Sequence, residues 1–172
     1  MKIENLKYAL TAVLGSIVLS SCGGGEGPPA GANASASAVL QKNVEFVTLA
    51  LGDSEIEPAE PVHLVIRNAS DWVTIWSAHT NQTATPAPLP MVDFNREMVV
   101  GIVKYVPDPC HSLEIKKITR GNSSLLVEYT VRRKAPADVL CMGVIVVGSH
   151  FVAVPESQLP VQFVLGIEDQ PI

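Results

Sequence analysis

Aromatic residues are scarce, at 5% of 172 positions, and charged residues reach only 17%. With 47% hydrophobic content, so little charge excludes a chain held open by self-repulsion and leaves ample material for a core. Basic residues are the scarcer sign, 12 against 17 acidic, which argues against nucleic acid as a partner, since that role needs a basic face. Three cysteines occur, at 22, 110 and 141, with no Cys-x-x-Cys; that spacing argues against a thiolate metal centre or redox pair. His63, His79, His111 and His150 are isolated from one another, so no two imidazoles are set at metal-ligand spacing. There is no Gly-x-Ser-x-Gly, no paired carboxylate and no Gly-rich phosphate loop, and Ser149 is merely adjacent to His150. These absences argue against an enzyme and against a bound cofactor or metal.

The N-terminal region is more telling. Residues 1–7 carry Lys2 and Lys7, and the apolar stretch over 8–19 is too short to cross roughly 30 Å of hydrocarbon, so the segment reads as a signal peptide. It ends Leu19-Ser20-Ser21-Cys22, the order of a bacterial lipobox: an apolar residue, two small residues, then a cysteine whose sulfur accepts lipid. Cys22 is therefore the expected lipidation site and the expected link to a membrane. Cleavage before it removes Lys2, Lys7 and Glu4, taking 12 basic and 17 acidic residues to 10 and 16 and the net charge from -5 to -6. Gly23 stands where an aspartate would signal inner-membrane retention, so the expected location is the cell envelope, on the outer membrane and facing the periplasm or the cell surface. The expected organisation is a signal peptide at 1–21, a lipidated flexible tether at 22–40 rich in Gly, Pro, Ala and Ser, and one globular domain at 41–172. Four Asn-x-Ser/Thr triplets read as turn and cap positions in a bacterial setting.

Within the domain, short Val/Leu/Ile runs are broken by Pro and Gly, the pattern of strands. Strands are expected over 44–51, 62–66, 97–106, 112–119, 125–131, 142–147, 151–154 and 161–165. The run 97–106 is apolar on both faces, as a central strand would be. Residues 121–124 (Gly-Asn-Ser-Ser) should turn a hairpin that sets Lys117 opposite Glu128. One helix is expected at about 70–80, capped by Asn68 or Ser70, with Trp72, Ile75, Trp76 and His79 along one apolar face. The fold class is α+β: a mainly antiparallel sheet with one packed amphipathic helix.

From about 65 to 164 the order of features resembles the C-terminal domain of the protease-complex subunit PrcB, a family of small exported bacterial proteins and lipoproteins. The pieces are Val65-Ile66-Arg67 leading into Asp71 to Trp76, Val92-Asp93-Phe94-Asn95-Arg96-Glu97, the Cys110-His111-Ser112-Leu113 strand, and His150 to Pro155 before Val161-Gln162-Phe163. The resemblance implies association with an exported protease or envelope protein, with a role in the maturation or stability of that partner. Cys110-His111 stands where the family commonly has a glycine-aromatic pair.

With Cys22 assigned to lipid, Cys110 and Cys141 remain as an even pair in an oxidising compartment, and a disulfide is expected. Placed at the openings of two strands, it would tie three strands together. His63 reads as a surface strand position and His79 as a partner of the helix C-terminus. Asp93 reads as a loop cap, and Trp72 and Trp76 as core. Lys116, Lys117, Arg120, Arg132, Arg133 and Lys134 form the only basic clusters, expected on a solvated strand face. The function these readings support is a membrane-tethered, non-enzymatic protein-binding module. The alternatives are a protease inhibitor presenting the proline-rich stretch 83–90, whose rigidity suits docking, and a small-ligand carrier.

Overall fold

The computed structural model describes residues 41–80 and 87–166. Cys22, the signal peptide, the whole of the tether and part of the 83–90 stretch lie outside them. The compact unit containing the described residues spans Ser37–Ile172. Among them, one short helix accompanies a mostly antiparallel β-structure of eight strands. In chain order these are β1 Lys42–Asn43, β2 Val47–Asp53, β3 Val62–Ile66, α1 Ala69–His79, β4 Glu97–Val106, β5 His111–Arg120, β6 Leu125–Arg133, β7 Val146–Pro155 and β8 Val161–Leu165.

The strands form two four-stranded sheets, ordered β1-β5-β6-β8 and β2-β7-β4-β3. Every pairing is antiparallel except β6 with β8. Alternation along β4 divides its side chains between two apolar clusters. Met98, Val100 and Ile102 join Leu113, Ile115, Val127 and Tyr129 of the other sheet. Val99 and Val103 join Phe151 with Trp72 and Trp76 of α1. This is why the run 97–106 is apolar at both parities. Gly101 lies directly across from Phe151, where a Cβ would come within 2.6 Å of the ring, so only glycine admits that aromatic.

The helix begins where the cap chemistry demands. Asn68 is extended (φ -148°, ψ 156°), its side-chain oxygen accepts the Asp71 N–H, and Asp71 places a carboxylate in the first turn.

Three strand expectations need correction. The expected strand over 44–51 is shifted: it starts only at Val47 and runs to Asp53 as β2, while residues 44–46 link it to β1 of the other sheet, with Val44 and Phe46 packed against the apolar cluster. The expected break at Gly148-Ser149 does not occur, because both residues lie inside β7. Gly148 is there for close approach: a Cβ would sit 3.1 Å from Val106 and 3.2 Å from Leu113. Residues 142–145, expected as strand, instead form exposed loop.

Candidate functional site

Chemistry-bearing side chains gather at the start of β5. Cys110 and Cys141 form a disulfide with their Cα atoms 5.9 Å apart. Cys141 lies in the loop between β6 and β7 rather than at a strand opening, so the bridge ties that loop to the mouth of β5 and does not join three strands. The Cys110 carbonyl accepts the Lys134 N–H at 2.7 Å, closing the same corner through the backbone.

Next to the bridge, Asp108 Oδ1 lies 2.7 Å from His111 Nδ1 and also accepts the Cys110 N–H. The hydrogen bond with His111 holds the Asp108 carboxyl below its ordinary pKa. Glu114 is nearly surrounded by donors. Partial burial pushes its pKa up, but Lys116 at 2.8 Å, Ser112 at 3.0 Å and Arg132 at 3.2 Å outweigh it and bring the pKa to about 2. A cleft of about 170 Å³ opens here, lined by Leu51, Asp53, His111, Glu114, Lys134 and Gly148 among others. Ser112 donates to Glu114 and Asp108 holds His111, so these residues do not line up as nucleophile, base and carboxylate. What the corner offers is a set of half-buried groups, Asp108, His111 and Glu114, paired with one another or with the exposed cations Lys116 and Arg132 beside the disulfide.

The basic residues expected on a strand face divide between two tasks. Lys116 and Arg132 neutralise Glu114, and Lys117 stands opposite Glu128. Arg133 turns to the loop, donating to the carbonyls of Ala135, Pro136 and Val139.

The histidines separate into exposed and buried. His63 is exposed on β3 and stacks on Phe163 with ring centroids 4.4 Å apart. His79 is buried against Trp76 and Phe151, with Nδ1 3.0 Å from Ser54 Oγ. Burial lowers its pKa, so the expected role as a cationic partner of the helix C-terminus gives way to a neutral core residue. Asp93 caps its loop as expected, its carboxylate accepting the backbone and side-chain N–H groups of Asn95.

His150 is the residue that sequence reasoning passed over. It is 3% exposed on β7, accepts the Ile115 N–H on Nδ1 at 2.8 Å, and lies with Nε2 3.0 Å from Thr48 Oγ1. Ile115 adjoins the β5 bulge and Thr48 the β2 bulge, so one ring serves two irregular strands. Because Nδ1 accepts, the proton sits on Nε2 and the ring is neutral. Desolvation by burial takes its pKa to about 4. Its parity with Val152 and Val154 was the available signal: a polar side chain on the buried face of a strand must find partners.

This geometry fixes a pH dependence. The unfolded chain binds a proton at His150 near the ordinary imidazole pKa of about 6.5, while the folded chain binds it only near 4. Stability is thus full above pH ~6.5 and falls by up to about 3 kcal/mol as pH drops toward 4. His63 and His79, also lowered, act in the same direction. Urea unfolding at intervals from pH 7.5 to 4.5 should show this slope, and His150→Asn, which keeps an acceptor for Ile115, should reduce it. An unchanged slope in the variant would remove His150 from the account.

The stretch 83–90 is described only over 87–90, where the carbonyls of Ala87 and Pro90 accept the indole N–H groups of Trp76 and Trp72 at 3.1 and 3.0 Å. No family model, no curated protein and no solved structure matches the chain.

Proposed function

We propose that this chain is an exported lipoprotein, held at the cell envelope through acylated Cys22, whose globular domain is a non-enzymatic protein-binding module. The observation that carries this reading is the leader ending in Leu19-Ser20-Ser21-Cys22, because charge, apolar length and the small residues before the cysteine fall in one register. The Cys110–Cys141 bridge supports export, since such bonds persist in oxidising compartments. The binding role is supported by how the polar groups are used. Asp108, Glu114, His79 and His150 are each engaged in bonds internal to the fold. By the PrcB-like resemblance, the partner is an exported protease or envelope protein that the domain stabilises or helps to mature.

Acylation is tested by replacing one atom. Wild-type protein expressed in a bacterial host should fractionate with membranes and carry diacylglycerol by intact mass, whereas Cys22→Ser should lose the acyl mass and accumulate as uncleaved precursor. An unmodified Cys22 in the wild type would end the lipoprotein reading. The docking role is tested by cross-linking in native membranes: recovery of one exported protein in stoichiometric yield supports it, and recovery of none counts against it.

A further inference from the structure

Four strands end a sheet: β1 and β8 in one, β2 and β3 in the other. A strand in that position carries backbone N–H and C=O groups without a ladder partner, and folds ordinarily blunt it by shortness, charge or a bulge. β1 is two residues long and begins with Lys42. β2 is bent by the irregularity between Thr48 and Ala50 and ends in Asp53. On β3 only His63 is exposed, so the rest of the strand is withdrawn from solvent. β8 has none of these devices. Its residues and the flanking Pro160 and Gly166 are uncharged, its register with β6 is unbroken, and Gln162, Val164 and Leu165 are exposed.

Which of its groups lie open follows from the bonds to β6. The pairing is parallel, and it is bounded by the Leu125 N–H donating to the Pro160 carbonyl and the Gly166 N–H donating to the Tyr129 carbonyl. Successive residues of a strand turn their backbone groups to opposite sides, so Gln162 and Val164 share the β6 side with those two ends. The N–H and C=O groups of Val161, Phe163 and Leu165 therefore point away from β6, and among the described residues they have no partner. The strand is held firmly in this attitude: Val161 and Phe163 pack against the core, and Phe163 stacks on His63 of the other sheet. On its open side Val164 is 46% exposed and Leu165 50%.

The placement of the open groups indicates the occupant. A row of free N–H and C=O groups is satisfied by another extended chain. The three open residues are also symmetric about Phe163. An antiparallel copy of β8, related by a two-fold axis at Phe163, sets Phe163 opposite itself and Val161 opposite Leu165. Every open group on both strands then finds a partner. The same register puts Gln162 opposite Val164 on the other face, so both exposed apolar side chains gain cover. A chain of net charge -5 meets its copy here without a charged side chain on either strand. Pairing about a two-fold axis also closes at two copies and builds no filament. We propose that two copies of this chain associate through β8, antiparallel and centred on Phe163, and so join their β1-β5-β6-β8 sheets into one continuous sheet. The contact belongs to the folded domain and needs neither acylated Cys22 nor a further protein.

The unit Ser37–Ile172 contains every strand and both apolar clusters described above, so it can be prepared without Cys22. In sedimentation velocity over a wide range of concentration it should pass from monomer to dimer and form nothing larger. Leu165→Pro removes an outward N–H and leaves the β6 ladder whole, and by symmetry it deletes two bonds of the dimer; the dissociation constant should rise about tenfold or more. Val164→Lys should weaken the dimer as well, with partial recovery at high salt, because it brings two cations together across the axis. Val47→Lys, at a residue 64% exposed on β2, should leave association unchanged. Far-UV circular dichroism and thermal midpoint establish that the variants are folded. A wild-type domain that stays monomeric throughout overturns the proposal, and so does a dimer that survives both β8 changes or yields to the β2 change. Cross-linking that finds β8 of a monomer on a different exported protein would also reject self-pairing, while leaving the docking reading intact.

Discussion

Replacing Trp72 by alanine is expected to cost the domain about 3 to 5 kcal/mol, a large part of the 5 to 15 kcal/mol that holds a typical domain together. Trp72 is 2% exposed and its ring lies 5.3 Å from that of Trp76 and 5.7 Å from that of Phe151. Truncation opens a cavity where Val99, Val103 and Phe151 converge, and those β4 and β7 side chains cannot follow inward without breaking the ladder between their strands. It also strips the Pro90 carbonyl of its indole donor, so the segment after the undescribed stretch loses one of its two anchors. Trp72→Phe separates the two effects: most of the apolar volume stays while the hydrogen bond goes, and the cost should fall to about 1 to 2 kcal/mol. Val73, one residue on and 47% exposed, supplies the comparison, because Val73→Ala should change stability by less than about 0.5 kcal/mol. Urea unfolding followed by far-UV circular dichroism measures all three. Equal costs at positions 72 and 73 would mean that the helix does not hold its tryptophans against the sheet.

The helix was the most legible element because its signals are local. Asn68, Asp71, Trp72 and Trp76 lie within nine residues, and cap chemistry and periodicity agree on where it starts and which face is apolar. The double-sided strand β4 was legible for the same reason, since apolar residues at both parities admit few other placements. The errors arose where the deciding contact is distant. Gly148 resembles a turn residue until Val106 and Leu113 are seen against it, and nothing in its neighbours in sequence reveals that approach. His150 resembles an idle histidine until Ile115 and Thr48 supply its partners from other strands, 35 and 102 residues away. His79 was placed correctly at the end of the helix, yet its charge state follows from burial under Ser54, Trp76 and Phe151 rather than from helix position. Residues 142–145 read as strand because they have strand propensity; the structure leaves them in the loop that the disulfide at Cys141 anchors, and the strand starts only at Val146. The exposed patch there could not be read from composition, since the same residue types fill the core elsewhere.

The second large effect is expected from the disulfide. Removing it with Cys110→Ser and Cys141→Ser should lower stability by about 3 to 4 kcal/mol in the chain-entropy model, given the sequence separation of 31 residues. The segment so closed holds β5, the turn, all of β6 and the loop as far as Cys141, so the reduced unfolded chain gains the freedom of an entire hairpin. In the folded state the loss should be confined. The β5–β6 ladder from His111–Arg133 to Arg120–Leu125 is independent of the bridge, and Arg133 still holds Ala135, Pro136 and Val139. Only residues past Val139 lose their anchor, where Leu140, Met142, Val144 and Ile145 project into solvent. The expected pattern in amide exchange is therefore faster exchange over 140–145 with little change in β5 and β6 beyond the global shift in stability. Urea unfolding of the double-serine chain against the oxidised wild type gives the magnitude, and wild type reduced by a phosphine should agree with the variant. A loss below about 1 kcal/mol would show that the denatured chain is already compact across this hairpin, so that the bridge serves to brace the loop and not to restrict the unfolded state.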